Sequence, residues 1–168
     1  MLRMVMAALL LAVLWTVPAS ALQDWNRIDD PMKSGIGLHV GKIGGSGLAL
    51  KVPLKWYLQF QVAGGIWRTS STRWSNMGFE LQYILRQDPK LRLYLVTGVA
   101  FYNDQSNETT EDGTQYWLND KEWNAGFGVG AERLIGERFA FKVDIDFTYQ
   151  DKDESITIWP QAGLLFYW

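Results

Sequence analysis

The sequence contains no cysteine and only one histidine among its 168 residues. Without cysteine, the chain can hold neither a disulfide scaffold, nor a cysteine-based zinc site, nor a thiol nucleophile. Positive charge is scarce as well, because 16 lysines and arginines stand against 18 acidic residues and the formal net charge is −2. No basic stripe is present, so we expect no nucleic-acid partner.

A long apolar run of the kind that forms a transmembrane helix is also absent. The apolar run at residues 7–17 follows a positive charge and is shorter than the ~20 residues that a membrane span needs. A proline ends it, and residues 19–21 supply the small side chains of a cleavage site. We predict a secretory signal peptide at residues 1–21 rather than a membrane anchor, followed by a polar lead-in at residues 22–34.

Glycine and aromatic residues are abundant instead, with 16 glycines and nine tryptophans, which favours β structure. From residue 35 onward, apolar side chains recur at every second position in eight segments, as in strands with one apolar face. The predicted strands are 35–42, 48–52, 56–67, 74–85, 91–102, 123–134, 139–149 and 155–168. Tight turns are predicted at 53–55, 87–90 and 135–137, a short turn at 44–46, and loops at 68–73 and 103–122.

The two strand faces decide between a soluble β protein and a membrane barrel. One face is almost purely Leu, Ile, Val and Phe, which matches the apolar band, about 25 Å tall, of outer-membrane barrels. The other face mixes Gly, Ala and aromatic rings with few charges, as in the crowded interior of a narrow barrel. We predict that residues 35–168 form an all-β, eight-stranded antiparallel up-and-down transmembrane β-barrel with its apolar face outward. A soluble sandwich or lipocalin-like barrel is the alternative.

The last predicted strand, 155–168, stops at Trp168 with Phe166 and Leu164 at alternate positions before it. This pattern resembles the closing strand of bacterial outer-membrane barrels. The chain as a whole resembles the small eight-stranded barrels of the OmpA transmembrane-domain, OmpX and opacity-protein type. The resemblance implies a bacterial outer-membrane location, contact with lipid and lipopolysaccharide, and recognition of strand 155–168 by the barrel-assembly machinery. Pro160 cannot donate a ladder hydrogen bond, so we expect a local irregularity there.

Seven charged residues fall on the predicted inner face. Buried charge is costly unless it is paired, so we predict an ion-pair network that joins Glu80 and Glu132 to Arg92 and Lys142. Barrels of the OmpA type carry a similar interior cluster. Such a network either plugs the lumen or lines a narrow, gated ion path. The predicted members are Lys51, Glu80, Arg92, Glu132, Lys142, Asp144 and Asp146.

A glycine strip on the inner face predicts spare volume, which either aromatic rings or a small ligand would fill. The residues of this candidate lumen cavity are His39, Tyr57, Tyr94, Gly126, Gly128 and Gly130. Lipid A-modifying enzymes of similar size use a histidine with a serine partner, but no serine shares the strand face of His39. We therefore predict that the protein is not an enzyme, with a lipid A-modifying enzyme as a minor alternative, and we expect neither a metal nor a cofactor.

Aromatic residues near the strand ends, namely Trp56, Trp123 and Trp168, predict girdles at the membrane interfaces. The acidic segment 103–122, with an apolar tip at residues 116–118, is predicted to be an outer loop that is solvated or contacts a surface partner. The function that these features favour is that of an integral outer-membrane barrel with a structural or surface-interaction, adhesin-like role. The alternative is a narrow pore or a small-ligand transport barrel.

Overall fold

The computed structural model of the protein describes residues 33–69, 72–109 and 115–168. The predicted signal peptide, 1–21, and nearly all of the lead-in, 22–34, lie outside these residues. Eight strands follow one another around a closed antiparallel barrel, which confirms the predicted fold. In the described ranges, no helix is long and apolar enough to cross a membrane. The strands are β1 (Gly35–Val40), β2 (Gly47–Lys55), β3 (Leu58–Arg68), β4 (Thr72–Gln87), β5 (Leu91–Thr109), β6 (Gln115–Ile135), β7 (Phe139–Gln150) and β8 (Ser155–Tyr167).

The ring closes where β1 pairs with β8, from Gly35 opposite Tyr167 to Val40 opposite Ala162. Every other strand pairs with its two neighbours in the chain. Closure leaves no open sheet edge in the barrel wall, so the backbone polar groups of the wall can bond to one another. Gly35 and Trp168 mark one end of the barrel, called the terminal end here, and the opposite end is called the outer end.

Strand β7 shows how the alternating sequence sorts side chains between the two faces. Between residues 139 and 148, the apolar residues at odd positions are 39–53% exposed, while the residues at even positions are at most 1% exposed. The same alternation runs around the barrel, so the apolar face points outward as predicted. In β7 the outward set is Phe139, Phe141, Val143, Ile145 and Phe147, and the inward set is Ala140, Lys142, Asp144, Asp146 and Thr148.

The tight turn predicted at residues 53–55 is wrong, because these residues belong to β2. Pro53 pairs with Gln59, and the register then shifts between Pro53 and Lys55. The shift is an irregularity of the kind at which a strand accommodates a proline that cannot donate to the ladder. The chain reverses instead at residues 56 and 57.

The loop predicted at residues 103–122 is also wrong over most of its length. Strand β5 continues to Thr109 and β6 begins at Gln115, with paired residues up to Thr109 opposite Gln115. The polar composition of this segment hid the strands, because backbone pairing beyond an apolar belt needs no apolar side chains. We call residues 103–109 and 115–122 the outer hairpin.

The irregularity expected at Pro160 is not observed either. Pro160 lies opposite Ile145 in a continuous register with β7. On its other side, β1 has already ended at Val40, which lies opposite Ala162. Pro160 therefore has a strand neighbour on one side only, and a missing N–H group is tolerated at such an edge position.

The outward face of β7 allows a matched test of its contact with lipid. Ile145, near the middle of the strand, and Phe139, at its beginning, are 53% and 51% exposed. We expect Ile145→Lys to lower the free energy of unfolding by about 2–4 kcal/mol and Phe139→Lys by about 0–1 kcal/mol, because the cost of a charge rises toward the bilayer centre. Urea titration of the protein folded into phospholipid vesicles measures both values. Equal losses would show that this face does not meet a bilayer.

Candidate functional site

The lumen holds one ion cluster on the side of the terminal end, built by β2, β5 and β6. Glu132 accepts a hydrogen bond from Lys51 at 2.6 Å and one from Arg92 at 2.7 Å. The Tyr167 hydroxyl donates to the same carboxylate at 2.8 Å. The Glu132 carboxylate is fully buried, and two cations together with a phenol compensate its charge.

A second cluster lies at the centre of the lumen around Lys142. Its ammonium is 2.7 Å from Glu80 Oε2 and 3.1 Å from Asp144 Oδ2. Gln82 donates to Glu80 at 2.9 Å, and the Tyr94 hydroxyl donates to Asp144. These side chains come from strands on several sides of the ring, so this cluster ties the barrel wall together across its interior.

The structure thus places six of the seven predicted network residues in two separate clusters and leaves Asp146 outside both. Glu80 pairs with Lys142, while Glu132 pairs with Arg92. Asp146 is fully buried on the same face but forms no ion pair with the basic side chains of the described residues. Its carboxylate lies over Gly128, next to the central cluster.

The connection between β1 and β2 folds into the barrel and does not form the short outer turn that the sequence predicts. We call residues 41–46 the inner loop. Its apolar residue, Ile43, is 0% exposed. The Gln161 side-chain oxygen accepts the backbone N–H groups of Ile43 and Gly44, each at 3.2 Å. The Gln161 amide also donates to Glu80 at 3.1 Å, which links the inner loop to the central cluster.

Further hydrogen bonds hold backbone groups of residues 41, 45 and 46 in the inner loop. The His39 ring bonds to the Gly45 carbonyl at 2.8 Å, and the Tyr102 hydroxyl donates to the Gly41 carbonyl. Asn76 accepts from the Ser46 amide at 2.6 Å and donates to the Ser46 carbonyl at 2.8 Å. A buried loop must have its backbone groups satisfied, and wall side chains do so here.

Glycines on three consecutive strands make room for the inner loop. A Cβ atom added to Gly98 would lie 2.9 Å from the Ile43 carbonyl oxygen, and one added to Gly126 would lie 2.9 Å from Ile43 Cγ2. A Cβ at Gly78 would overlap the backbone of Gly44. Gly45 has φ +80°, a conformation that side chains rarely adopt. The glycines are therefore a requirement of the inner loop.

The candidate cavity along the glycine strip is occupied by the protein itself. Ile43 fills the space beside Gly126, and the carboxylates of Asp146 and Asp144 lie over Gly128 and Gly130. The Tyr94 ring also lies over Gly130. Tyr57, expected in the same cavity, lies in the turn after β2, where its ring is 5.5 Å from that of Tyr83. Among the described residues, this strip is packed rather than open to a ligand.

Lys42, in the inner loop, contacts residues on the side that faces the outer end of the barrel. Its ammonium is 3.4 Å from a carboxylate oxygen of Glu122. It also lies 5.4 Å from the centre of the Tyr102 ring and 5.7 Å from that of the Trp159 ring. The Lys42 side chain therefore spans the inner face near the outer end and joins the inner loop to the outer hairpin.

His39 lies in the packed interior, 1% exposed, and no hydrogen bond to a serine is found for it in the described chain. Its ring lies 3.5 Å from Glu80, and the two residues form with Asp144 a group whose ligand atoms lie within 4.8 Å of one another. The Lys142 ammonium already bonds to both carboxylates of that group. We therefore assign His39, Glu80 and Asp144 to the central ion cluster rather than to a metal centre.

The three predicted interface tryptophans lie at both ends of the outward face. Trp56 and Trp168 are at the terminal end and are 50% and 58% exposed, while Trp123 is near the outer end and is 54% exposed. Trp123 packs on Phe101, with their ring centres 5.0 Å apart. The three tryptophans thus lie at the two ends of the apolar outward face, which we call the apolar belt, and this is the arrangement of interface girdles.

The outer hairpin carries exposed apolar side chains and an acidic inner side. Residues 116–118 are 40–45% exposed, and the Arg73 guanidinium lies 4.3 Å from the centre of the Trp117 ring. Asp120 forms an ion pair with Lys152 from the turn between β7 and β8. Partial burial raises the pKa of Asp104, and the neighbouring carboxylates of Asp120 and Glu122 raise it further.

Comparison with known proteins supports the fold alone. No protein-family model matches the chain, and no curated protein matches it. Among solved structures, the chain is similar to the N-terminal β-barrel domain of Pseudomonas aeruginosa OprF, with 18% identity and a TM-score of 0.56. The likeness covers 81% of this chain and 97% of that domain. The chain therefore shares the eight-stranded barrel fold with the OprF domain.

The sequence prediction missed the inner loop and its main anchor, Gln161. The signal was present in the segment Gly41–Ser46, in which a single apolar residue stands among glycines. Glycines at inward positions of β4, β5 and β6 were a second signal. Neither signal indicates by itself that the segment turns into the lumen, because the contacts come from strands far apart in the chain.

The central cluster predicts a large cost for the loss of its cation. Lys142→Met leaves Glu80 and Asp144 buried without their counter-charge, so we expect the free energy of unfolding to fall by about 3–5 kcal/mol. Arg86→Gln removes an exposed pair with Asp88 and should cost about 0–1 kcal/mol. Urea titration in vesicles, read by tryptophan fluorescence, compares the two variants. Equal losses would contradict a stabilising role for the cluster.

Proposed function

We propose that the protein is an integral outer-membrane barrel with a closed lumen, which acts as a structural element and presents the outer hairpin to a surface partner. One observation carries the proposal: the outer hairpin rises from a barrel whose interior is filled by two ion clusters and the inner loop. A filled interior leaves the outward and outer surfaces as the places where the protein can act.

The apolar belt supports the membrane location. Leu, Ile, Val and Phe residues occupy the outward positions of all eight strands, and tryptophans lie at both ends of the belt. Lipid offers no partners for backbone groups, and the closed ring satisfies this requirement. The fold shared with the OprF barrel domain supports the same location. A predicted signal peptide at residues 1–21 would direct the chain there.

The closing strand supports a proposed contact with the barrel-assembly machinery. In β8, Leu164 is 49% exposed on the outward face, and Trp168 beyond the strand is 58% exposed. These residues, together with Phe166, form the alternating apolar pattern on which the resemblance to outer-membrane closing strands rests. We propose residues 155–168 as the segment that the machinery recognises.

A surface role fits the structure better than conduction or catalysis. The inner loop is bonded to four wall side chains and lies over the central cluster, so a path for ions would require its displacement. The only histidine is buried, and no hydrogen bond to a serine is found for it in the described chain, which argues against a lipid A-modifying enzyme. The outer hairpin, by contrast, exposes Tyr116, Trp117 and Leu118, and the charged residue Lys121 is exposed as well.

Shortening the outer hairpin tests the surface role without disturbing the barrel wall. Gln105 and Asn119 are paired, so residues 106–118 can be replaced by an Asn-Gly turn that keeps the register. We expect cells that display this variant to attach less to host-cell and abiotic surfaces than cells that display the full chain. Retained heat-modifiable migration on gels will show that the barrel still folds.

The matched control changes another exposed tryptophan at the outer end. Trp117→Ala, in the hairpin, should reduce attachment, whereas Trp67→Ala, at the end of β3, should not. Unchanged attachment after shortening of the hairpin would contradict the surface role and leave only the structural one.

A further inference from the structure

Charged residues of the outer hairpin are sorted between its two faces. Asp120 and Glu122 lie on the lumen side, where they form ion pairs with Lys152 and Lys42. Lys121, between them, belongs to the outward set that continues from Trp123, because alternate residues of a strand point to opposite faces. No ion pair is found for Lys121 among the described residues. Asp120 and Glu122 are thus paired on the inner side, while Lys121 faces outward.

Two arginines on the outward face stand directly opposite each other at the outer end. Arg68 ends β3 and pairs with Arg73 of β4. Like charges in directly opposite positions destabilise a sheet. In the described chain, neither guanidinium has a carboxylate within ion-pair distance, and Arg73 Nε is buried without a hydrogen-bond partner. Stacking on the Trp117 ring fixes the Arg73 guanidinium in place. The pair therefore carries positive charge that no described carboxylate compensates and that an external anion would neutralise.

An apolar groove begins just below this arginine pair on the same face. The next rungs of the β3–β4 ladder are Ile66 opposite Ser75 and Gly64 opposite Met77. Because Gly64 has no side chain, a groove of about 520 Å³ opens between flanking residues, among them Leu48 and Phe101. This volume lies within the range of roughly 300–1,000 Å³ that is usual for small-molecule sites.

We propose that the Arg68–Arg73 pair and the Gly64 groove form a binding site for one phosphorylated acyl lipid of the outer leaflet. The phosphate bridges the two guanidinium groups, and an acyl chain lies along the groove toward the middle of the barrel. Lys121 lies on the same outward face, two strands away from Arg73. Arginine forks bind phosphate oxygens in a bidentate manner, and the anion removes the repulsion between the two side chains. The site rests on the proposed membrane location.

The positions of the arginine pair and the groove along the barrel favour a lipid as the occupant. The positive charges lie at the outer end of the apolar belt, where phosphate groups of an outer leaflet would sit. The groove runs from there into the belt, where an acyl chain would lie. A soluble anion would use only the arginines, and a soluble protein partner would not reach a groove that is covered by bilayer.

The test measures lipid retention by the full chain, folded and purified in detergent, with native mass spectrometry. The probe is diphosphoryl lipid A, and the comparison lipids are its dephosphorylated form and phosphatidylcholine. We expect wild-type protein to retain lipid A in preference to both. Arg68→Gln with Arg73→Gln should weaken lipid A retention by about ten-fold or more, without changing phosphatidylcholine retention.

The charge-matched control is Arg133→Gln with Arg138→Gln, which removes two exposed positive charges near the terminal end. Retention of lipid A should stay within about two-fold of wild type in this variant, because only nonspecific attraction changes. An equal loss in both double variants would overturn the site in favour of general charge attraction.

A second pair of variants tests the groove independently of charge. Ser75→Trp places a bulky ring in the outer part of the groove and should weaken lipid A retention, whereas Ala131→Trp, on the outward face of β6, should not. Unchanged retention in Ser75→Trp would overturn the acyl-chain contact. Lipid A retention should also survive millimolar inorganic phosphate. If inorganic phosphate displaced lipid A completely, the arginines would be a site for free anions and the lipid site would be overturned.

The outcome for the lipid site can be separated from that for the proposed function. A wild-type barrel that shows heat-modifiable migration but retains lipid A no better than phosphatidylcholine would overturn the site alone. A chain that never shows heat-modifiable migration in detergent or vesicles would overturn the membrane barrel, and the lipid site with it.

Discussion

Closure of the sheet into an eight-stranded ring is the constraint on which the rest of the structure depends. A ring of this size leaves an interior that is just wide enough to be filled by side chains. Whatever points inward must therefore pack and must satisfy its own polar groups without bulk water. Glu80 and Glu132, the central acids of the two ion clusters, meet this condition, because their carboxylates each contact a cation and further hydrogen-bond donors.

The same constraint explains why a loop can serve as core. In the outer half of the lumen, glycines replace the side chains that would fill the space, and the inner loop takes their place with Ile43 at its centre. The wall supplies polar side chains, chiefly Gln161 and Asn76, that bond to the loop backbone. The loop, the glycines and these amides form one packed unit, and the Gln161–Glu80 hydrogen bond continues it into the central cluster.

The alternating pattern predicts most of the fold, because a strand with one apolar outward side and one packed inward side leaves a period of two in the sequence. β7 shows this in full, and the inward positions of Lys142 and Asp144 followed from the same count. The partners of each charge did not follow, since they depend on the register of distant strands around the ring. The inner loop and the extension of β5 and β6 escaped prediction for a related reason. Polar side chains and glycines of distant strands hold the inner loop, and backbone pairing forms the extension of β5 and β6. Neither leaves a hydrophobic period in the sequence.

Thiol reactivity at position 43 tests the closed lumen most directly. Because the sequence contains no cysteine, an introduced cysteine is the only thiol in the protein. Ile43→Cys places a single thiol at the centre of the inner loop, and Asp153→Cys places one in the exposed turn between β7 and β8. We predict that a small thiol reagent modifies the Asp153→Cys variant in the folded barrel. It should modify the Ile43→Cys variant only after the barrel is unfolded by heat. Equal rates in the folded protein would contradict a lumen closed by the inner loop.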